Sequence, residues 1–269
     1  MSSGLRAPAA PGAAPEGRSA ASPGVLPEPR VQAMFDRIAG VYDRMNAVMT
    51  AGMHEHWRER AADLAGVGPG DRALDVATGT GDLAMALARR VGPEGEVVGA
   101  DFSEGMLAVA RRKAPHVCFE TANALSLPYP DGAFDAATVG FGARNFADLA
   151  LGLAEMARVV RPGGRVVILE ITTPRRPPLS WFFRLWFDEL VPRLGRLAGD
   201  PEAYAYLPSS VRRFPAPEGL AEVLARAGLE RIGWILTAGG IIALHTGTVA
   251  PGPSPGAGSR AGSGPGGHR

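Results

Sequence analysis

The stretch Arg72-Ala-Leu-Asp75-Val-Ala77-Thr-Gly79-Thr-Gly81-Asp82-Leu-Ala84 decides the fold. Its first six residues have the length of a buried strand and a single polar interruption, Asp75. Gly79 and Gly81 then make a turn, and Asp82 opens a helical pattern that runs to residue 90. Working outward, Glu96-Val-Val-Gly-Ala100 reads as a second strand stopping at Asp101, with Ser103 as N-cap of the helix that follows. Residues 117–120, 134–139 and 165–169 read as further strands, separated by helical stretches that include 149–160. Such alternation predicts an α/β fold: a mostly parallel sheet covered on both faces, with ligands at the carboxyl ends of its strands. Near the end, residues 231–236 and 241–245 flank Gly239-Gly240 and read as an antiparallel edge pair. At the other end, Met34, Ile38, Val41, Met45, Val48 and Met49 recur at helical spacing within 31–65, an amphipathic entry region. No internal repeat is visible.

The chain has 269 residues, enough for one large domain, and 28 basic against 27 acidic groups leave a formal charge of +1. That balance argues against a nucleic-acid partner. Only Lys113 among the basic residues is a lysine, which with 36 Gly and 24 Pro reads as the imprint of a GC-rich genome. The single cysteine, Cys118, excludes an internal disulfide and a Cys-rich zinc site, and fits a reducing, cytoplasmic setting. No run reaches the roughly 18 apolar residues of a membrane span, and the N-terminus lacks a signal-peptide pattern. Residues 1–30 are rich in Ala, Pro and Gly and 250–269 in Gly, Pro and Ser. Neither segment buries enough apolar area to offset about 1–2 kcal/mol of backbone entropy per residue, so both are expected to be disordered tails around a domain at 31–249.

By itself the turn at Gly79-Thr80-Gly81 permits NAD, FAD or S-adenosylmethionine, because its glycines let the backbone approach any nucleotide-like ligand. Asp101, 20 residues beyond Gly81, is placed to accept ribose hydroxyls of any of them. Asp75 and Asp82 decide between them: carboxylates here attract a cationic aminoacyl group and repel a pyrophosphate. Asn123-Ala124 supplies a polar group and a small residue for an adenine edge. Asp75, Gly79, Thr80, Gly81, Asp101, Asn123 and Ala124 are therefore the candidate cofactor residues. The plain alternative is a strand-to-helix turn with Asp101 and Asp82 as caps.

Two longer signatures are more specific. One is Tyr42-Asp-Arg-Met-Asn46-Ala-Val-Met-Thr50-Ala-Gly-Met-His54-Glu-His56-Trp57; the other is Arg158-Val-Val-Arg161-Pro-Gly-Gly164-Arg-Val-Val-Ile-Leu-Glu170-Ile-Thr172. With Phe141-Gly-Ala-Arg144-Asn145 between them and Thr237-Ala-Gly-Gly-Ile-Ile-Ala-Leu-His245 at the end, the chain resembles the quinone-biosynthesis C-methyltransferases over about 31–247. The resemblance implies a Rossmann-like class I methyltransferase fold, with a seven-stranded sheet and an N-terminal helical cap. It implies S-adenosylmethionine as cofactor and a polyprenylated quinol as substrate. Thr50 and Thr172 stand where the family usually has serine, and Arg161 where it has lysine. Gly140 stands where members of the ubiquinone pathway tend to carry serine and menaquinone-only members glycine, which leans the substrate toward a demethylmenaquinol, a naphthoquinol, over a benzoquinol.

Methyl transfer to a ring carbon needs in-line alignment, water exclusion and a group that stabilises a developing phenolate. Arg144, after the fourth strand, is the expected cation beside the ring, set against a simple pairing with Asp148. Tyr42 and His54 are the expected proton relay, set against plain packing of the entry helix, and the general base is left open. His54 and His56 fall on different faces of a helix and lack a third ligand, so no metal site is expected. The tract 179–191, the most aromatic in the chain and preceded by Arg175-Arg176, is expected to cap the site, to rest transiently on the inner face of the plasma membrane, or both. A homodimer is compatible with this reading. Methylation of another small molecule, a dinucleotide oxidoreductase and a non-catalytic scaffold are the competing classes.

Overall fold

The computed structural model describes residues 27–50, 52–185 and 201–251. Most of the two expected tails, 1–26 and 252–269, and residues 186–191 of the aromatic tract lie outside the described residues. The helices are α1 Glu28–Thr50, α2 Met53–Ala65, α3 Asp82–Val91, α4 Glu104–Lys113, α5 Leu149–Val159, α6 Leu179–Leu185, α7 Pro201–Arg213 and α8 Pro217–Arg226. The strands are β1 Arg72–Val76, β2 Glu96–Asp101, β3 Cys118–Thr121, β4 Phe134–Gly140, β5 Val160–Ile171, β6 Leu229–Thr237 and β7 Ile242–Val249.

The seven strands form one sheet in the order β3-β2-β1-β4-β5-β7-β6. The first five run parallel, and β7 lies antiparallel between β5 and β6. Alternate strand residues face opposite ways. Ala73, Val97, Val167 and Leu169 pack under α2, α3 and α4, whereas Leu74, Val76, Val98 and Ile168 pack under α5 and α8. Both faces are therefore covered, as continuous apolar strands require.

The entry region is two helices instead of one. Gly52 takes φ 77° and turns the chain out of α1 into α2, a left-handed conformation that costs glycine nothing. α2 turns His54, Trp57, Arg58, Ala61, Ala62 and Ala65 inward, a stripe at spacings of three and four. The boundary at residue 31 is also corrected: Glu28, Pro29 and Arg30, assigned to a tail from composition, open α1. A helix can start on Glu and Pro because first-turn N–H groups have no intrahelical partner and a carboxylate there favours the dipole. Ser103 caps α4 as expected, accepting from the Met106 N–H at 3.2 Å.

Candidate active site

Strand order reverses between β1 and β4, so the loops leaving their carboxyl ends diverge and leave a cleft. The cleft is open to solvent, and its empty space, that opening included, is about 810 Å³. Ala77 after β1 and Phe141 after β4 both hold left-handed φ, 51° and 60°. Non-glycine residues in that region store strain, and here two line the same cleft. At the end of the first turn, Gly81 has φ 86°, and a Cβ on it would stand 2.8 Å from Phe119 Cζ. Only glycine lets α3 start so close to β3.

Of the seven expected cofactor residues, Asp75, Gly79, Thr80, Asp101, Asn123 and Ala124 line the cleft. Gly81 instead shapes the turn behind them. Asp101 is held on two sides: Gly79 N–H donates to its Oδ2 at 2.8 Å, and Ser103 N–H to its Oδ1 at 2.9 Å. Asp75 accepts from the hydroxyls of Thr78 and Thr138, each at 2.7 Å. Thr138 reaches it because β1 and β4 pair in register at Asp75 and Thr138. Burial pushes both carboxyls up to about 6, against hydrogen bonds that favour their ionised forms.

α1 runs over the side of this wall that carries Asp101 and Asn123. Asn123 Nδ2 donates to Glu28 Oε1 at 2.6 Å, and Gln32 Nε2 to the Phe102 carbonyl at 2.7 Å. Ser103 Oγ and Gly105 N–H both donate to Asp36 Oδ1. Asp43 accepts from Thr80 Oγ1 at 2.5 Å and from Lys113 Nζ at 2.6 Å. Composition gives no sign of this strap, because its carboxylates read as a solvated helix face.

The residues expected to carry the chemistry divide. Tyr42 lines the cleft, its ring edge-on to Phe35 at 6.3 Å. Arg144 and His54 are not part of the lining. Arg144 sits in a short 3-10 turn, Ala143–Asn145, where successive side chains splay by about a third of a turn. Asn145 takes the wall and Arg144 turns back onto β5. There its Nη1 donates to Glu170 Oε1 at 2.8 Å and to the Phe141 carbonyl, and its backbone N–H donates to Glu170 Oε2. Asp148, the alternative partner, caps α5 instead, accepting from Leu151 N–H at 3.0 Å. Arg144 therefore braces the β4 loop from behind.

His54 is buried in the α2 stripe, 2.8 Å from Thr50 Oγ1 through Nδ1. That hydroxyl already gives its proton to the Asn46 carbonyl, so Nδ1 is the donor and the neutral ring carries its proton there. Burial, with Arg58 nearby, lowers the pKa of His54 and favours the neutral ring. His56 is exposed and turned away from it.

Arg58 was missed in the sequence, although it lies on the cleft wall. The signal was present: residues 54, 57, 58, 61, 62 and 65 form one apolar-spaced stripe, and a cation inside such a stripe demands a reason.

A family model described as the ubiE/COQ5 methyltransferase family matches residues 24–249. A protein of Thermus thermophilus named demethylmenaquinone methyltransferase is 48% identical over 219 residues, covering 80% of this chain and 99% of its own. One of Teredinibacter turnerae named ubiquinone/menaquinone biosynthesis C-methyltransferase UbiE is 41% identical, covering 82% and 92%. Among solved structures, a SAM-dependent methyltransferase from Aquifex aeolicus superposes with a TM-score of 0.54 at 20% identity, covering 72% of this chain and 89% of its own. That likeness concerns the fold.

Proposed function

The chain belongs to the ubiE/COQ5 methyltransferase family, and from that membership we propose that it methylates a ring carbon of demethylmenaquinol to give menaquinol. S-adenosylmethionine is the methyl donor, supplying when bound an electrophilic methyl group on a sulfonium sulfur. The protein's residues must bind it, orient the quinol and keep water out.

Asp101 and the Asn123-Ala124 edge take the ribose and adenine in this reading, and Asp75 faces the cationic end. Tyr42 and the amide of Asn145, whose buried Oδ1 has no hydrogen-bond partner among the described residues, meet a quinol hydroxyl that can donate to that Oδ1. As that hydroxyl loses its proton the ring carbon gains electron density. Arg144 serves as a positioning residue, holding the Phe141 carbonyl and Glu170 so that Asn145 keeps its place. Neutral His54 backs the same region from α2.

The observation that carries the choice of substrate is Gly140. It lines the cleft, and a Cβ there would stand 3.1 Å from Leu83 Cδ2, so a serine fits only if Leu83 shifts. The higher identity to the relative named for demethylmenaquinone points the same way. To test it, short-tailed demethylmenaquinol and the corresponding demethyl-benzoquinol are supplied separately to the wild type and to Gly140→Ser. Preference for the naphthoquinol, weakened in the variant, supports the proposal; equal or greater turnover of the benzoquinol by the wild type refutes it.

Among the described residues no helix is long and apolar enough to cross a membrane. The described part of the aromatic tract, α6, exposes Trp181, Phe182 and Leu185, and Arg176 beside it is exposed too. This supports the further proposal that the protein works from the cytoplasm and rests on the membrane face holding the polyprenyl tail.

A further inference from the structure

Arg58 lines the cleft while only 7% exposed. A guanidinium keeps its charge at any physiological pH, so burying one without a full set of acceptors is costly. Arg58 lacks that set: its Nη1 is 3.1 Å from Asp82 Oδ2, yet the atom is buried without a hydrogen bond of acceptable geometry among the described residues. Asp82 is itself shared, since Lys113 Nζ bonds its Oδ1. No hydrogen bond joins it to Asp75, whose two oxygens accept from the hydroxyls of Thr78 and Thr138. Phe141 presents its ring 5.7 Å from the guanidinium carbon, a face that attracts the charge but accepts no directed N–H. An underused planar cation thus shares the cleft lining with Gly79 and Thr80.

A planar anion is its natural partner. The cofactor carries one, the carboxylate of its methionyl part; its ammonium and sulfonium are cations and suit Asp75 instead. We infer that Arg58 grips the carboxylate of S-adenosylmethionine and is the residue that makes the cleft require an amino-acid tail on the nucleoside. When Arg58 turns to the ligand, Asp82 keeps Lys113, which it shares with Asp43, as its partner. The inference rests on S-adenosylmethionine being the cofactor.

Decarboxylated S-adenosylmethionine keeps the nucleoside, the sulfonium and the amine and lacks only the carboxylate, so it isolates the contact. Calorimetry should find that the wild type binds the complete cofactor about ten- to a hundredfold more tightly than the decarboxylated form, the worth of one or two charge-assisted hydrogen bonds. Arg58→Gln should lose most of that preference while binding the decarboxylated form nearly as the wild type does. Arg58→Lys, which keeps the charge and guards against a folding failure of the glutamine variant, should fall between. Melting curves of the ligand-free variants check folding independently. If the variants weaken both ligands equally, or neither, or lower turnover with cofactor affinity intact, Arg58 does not hold the carboxylate. Failure of the wild type to bind S-adenosylmethionine would instead overturn the cofactor assignment, a result distinct from any of these.

Discussion

At the scale of single residues the cleft is governed by buried charge. Burial raises Asp75 and Asp101 from 3.8 to about 6, so each holds its proton to a higher pH than a free carboxyl. A raised carboxyl contributes stability that is complete below the unfolded value and is lost as pH rises through the folded one. The ligand-free wild type should therefore lose melting temperature relative to Asp75→Asn between about pH 4 and pH 7. A cationic ligand prefers ionised Asp75, so cofactor affinity should tighten about tenfold from pH 5 to pH 7 and then level off. Calorimetry across that range reads the slope, and a flat profile contradicts the assignment of Asp75. Arg144 makes a second prediction. Arg144→Lys keeps the charge but loses the planar head whose Nη1 donates to both Glu170 and the Phe141 carbonyl, so misplacement of the loop should lower single-turnover rate about 10²-fold with cofactor affinity unchanged. A normal rate would leave Arg144 with a structural role only. Glu170→Gln strands that guanidinium and should cost about 3–5 kcal/mol of stability, roughly 10 °C or more in melting temperature.

At the scale of elements, α1 behaves as a strap tied to four points of the cleft wall. Asp36 is its central tie, receiving Ser103 Oγ at 2.6 Å and Gly105 N–H at 3.0 Å. Asp36→Ala should cost about 2–3 kcal/mol, a loss of roughly 5–10 °C measured by calorimetry, and should weaken cofactor binding several-fold. An unchanged affinity would show that the strap is not coupled to the wall. The strands and helices from β1 to β5 were legible because each is a local pattern: apolar runs, turn glycines and caps such as Ser103. The strap was not, since its meaning lies in partners such as Glu28 and Asn123, 95 positions apart. The same holds for Thr138, whose bond to Asp75 depends on strand register. Arg144 was correctly placed at the carboxyl edge of β4 but wrongly aimed, because side-chain direction in a 3-10 turn is a three-dimensional fact.

At the scale of the whole molecule, the chemistry of a polyprenyl substrate has to meet a protein without a membrane-crossing helix among its described residues. The apolar residues of α6 are where that meeting is expected. Exchanging Trp181 and Phe182 together for glutamate should abolish co-sedimentation with anionic vesicles and leave turnover of a short-tailed quinol in place; retained vesicle binding would move the contact elsewhere. The central claim is the transfer of a methyl group to a naphthoquinol ring carbon, and it is tested most directly by carbon-13 NMR of the product formed from methyl-labelled S-adenosylmethionine and short-tailed demethylmenaquinone, offered reduced and oxidised. One labelled methyl is expected on the ring carbon of the reduced substrate and none on the quinone. Label on an oxygen, equal labelling of both redox forms, or no transfer to either would contradict it.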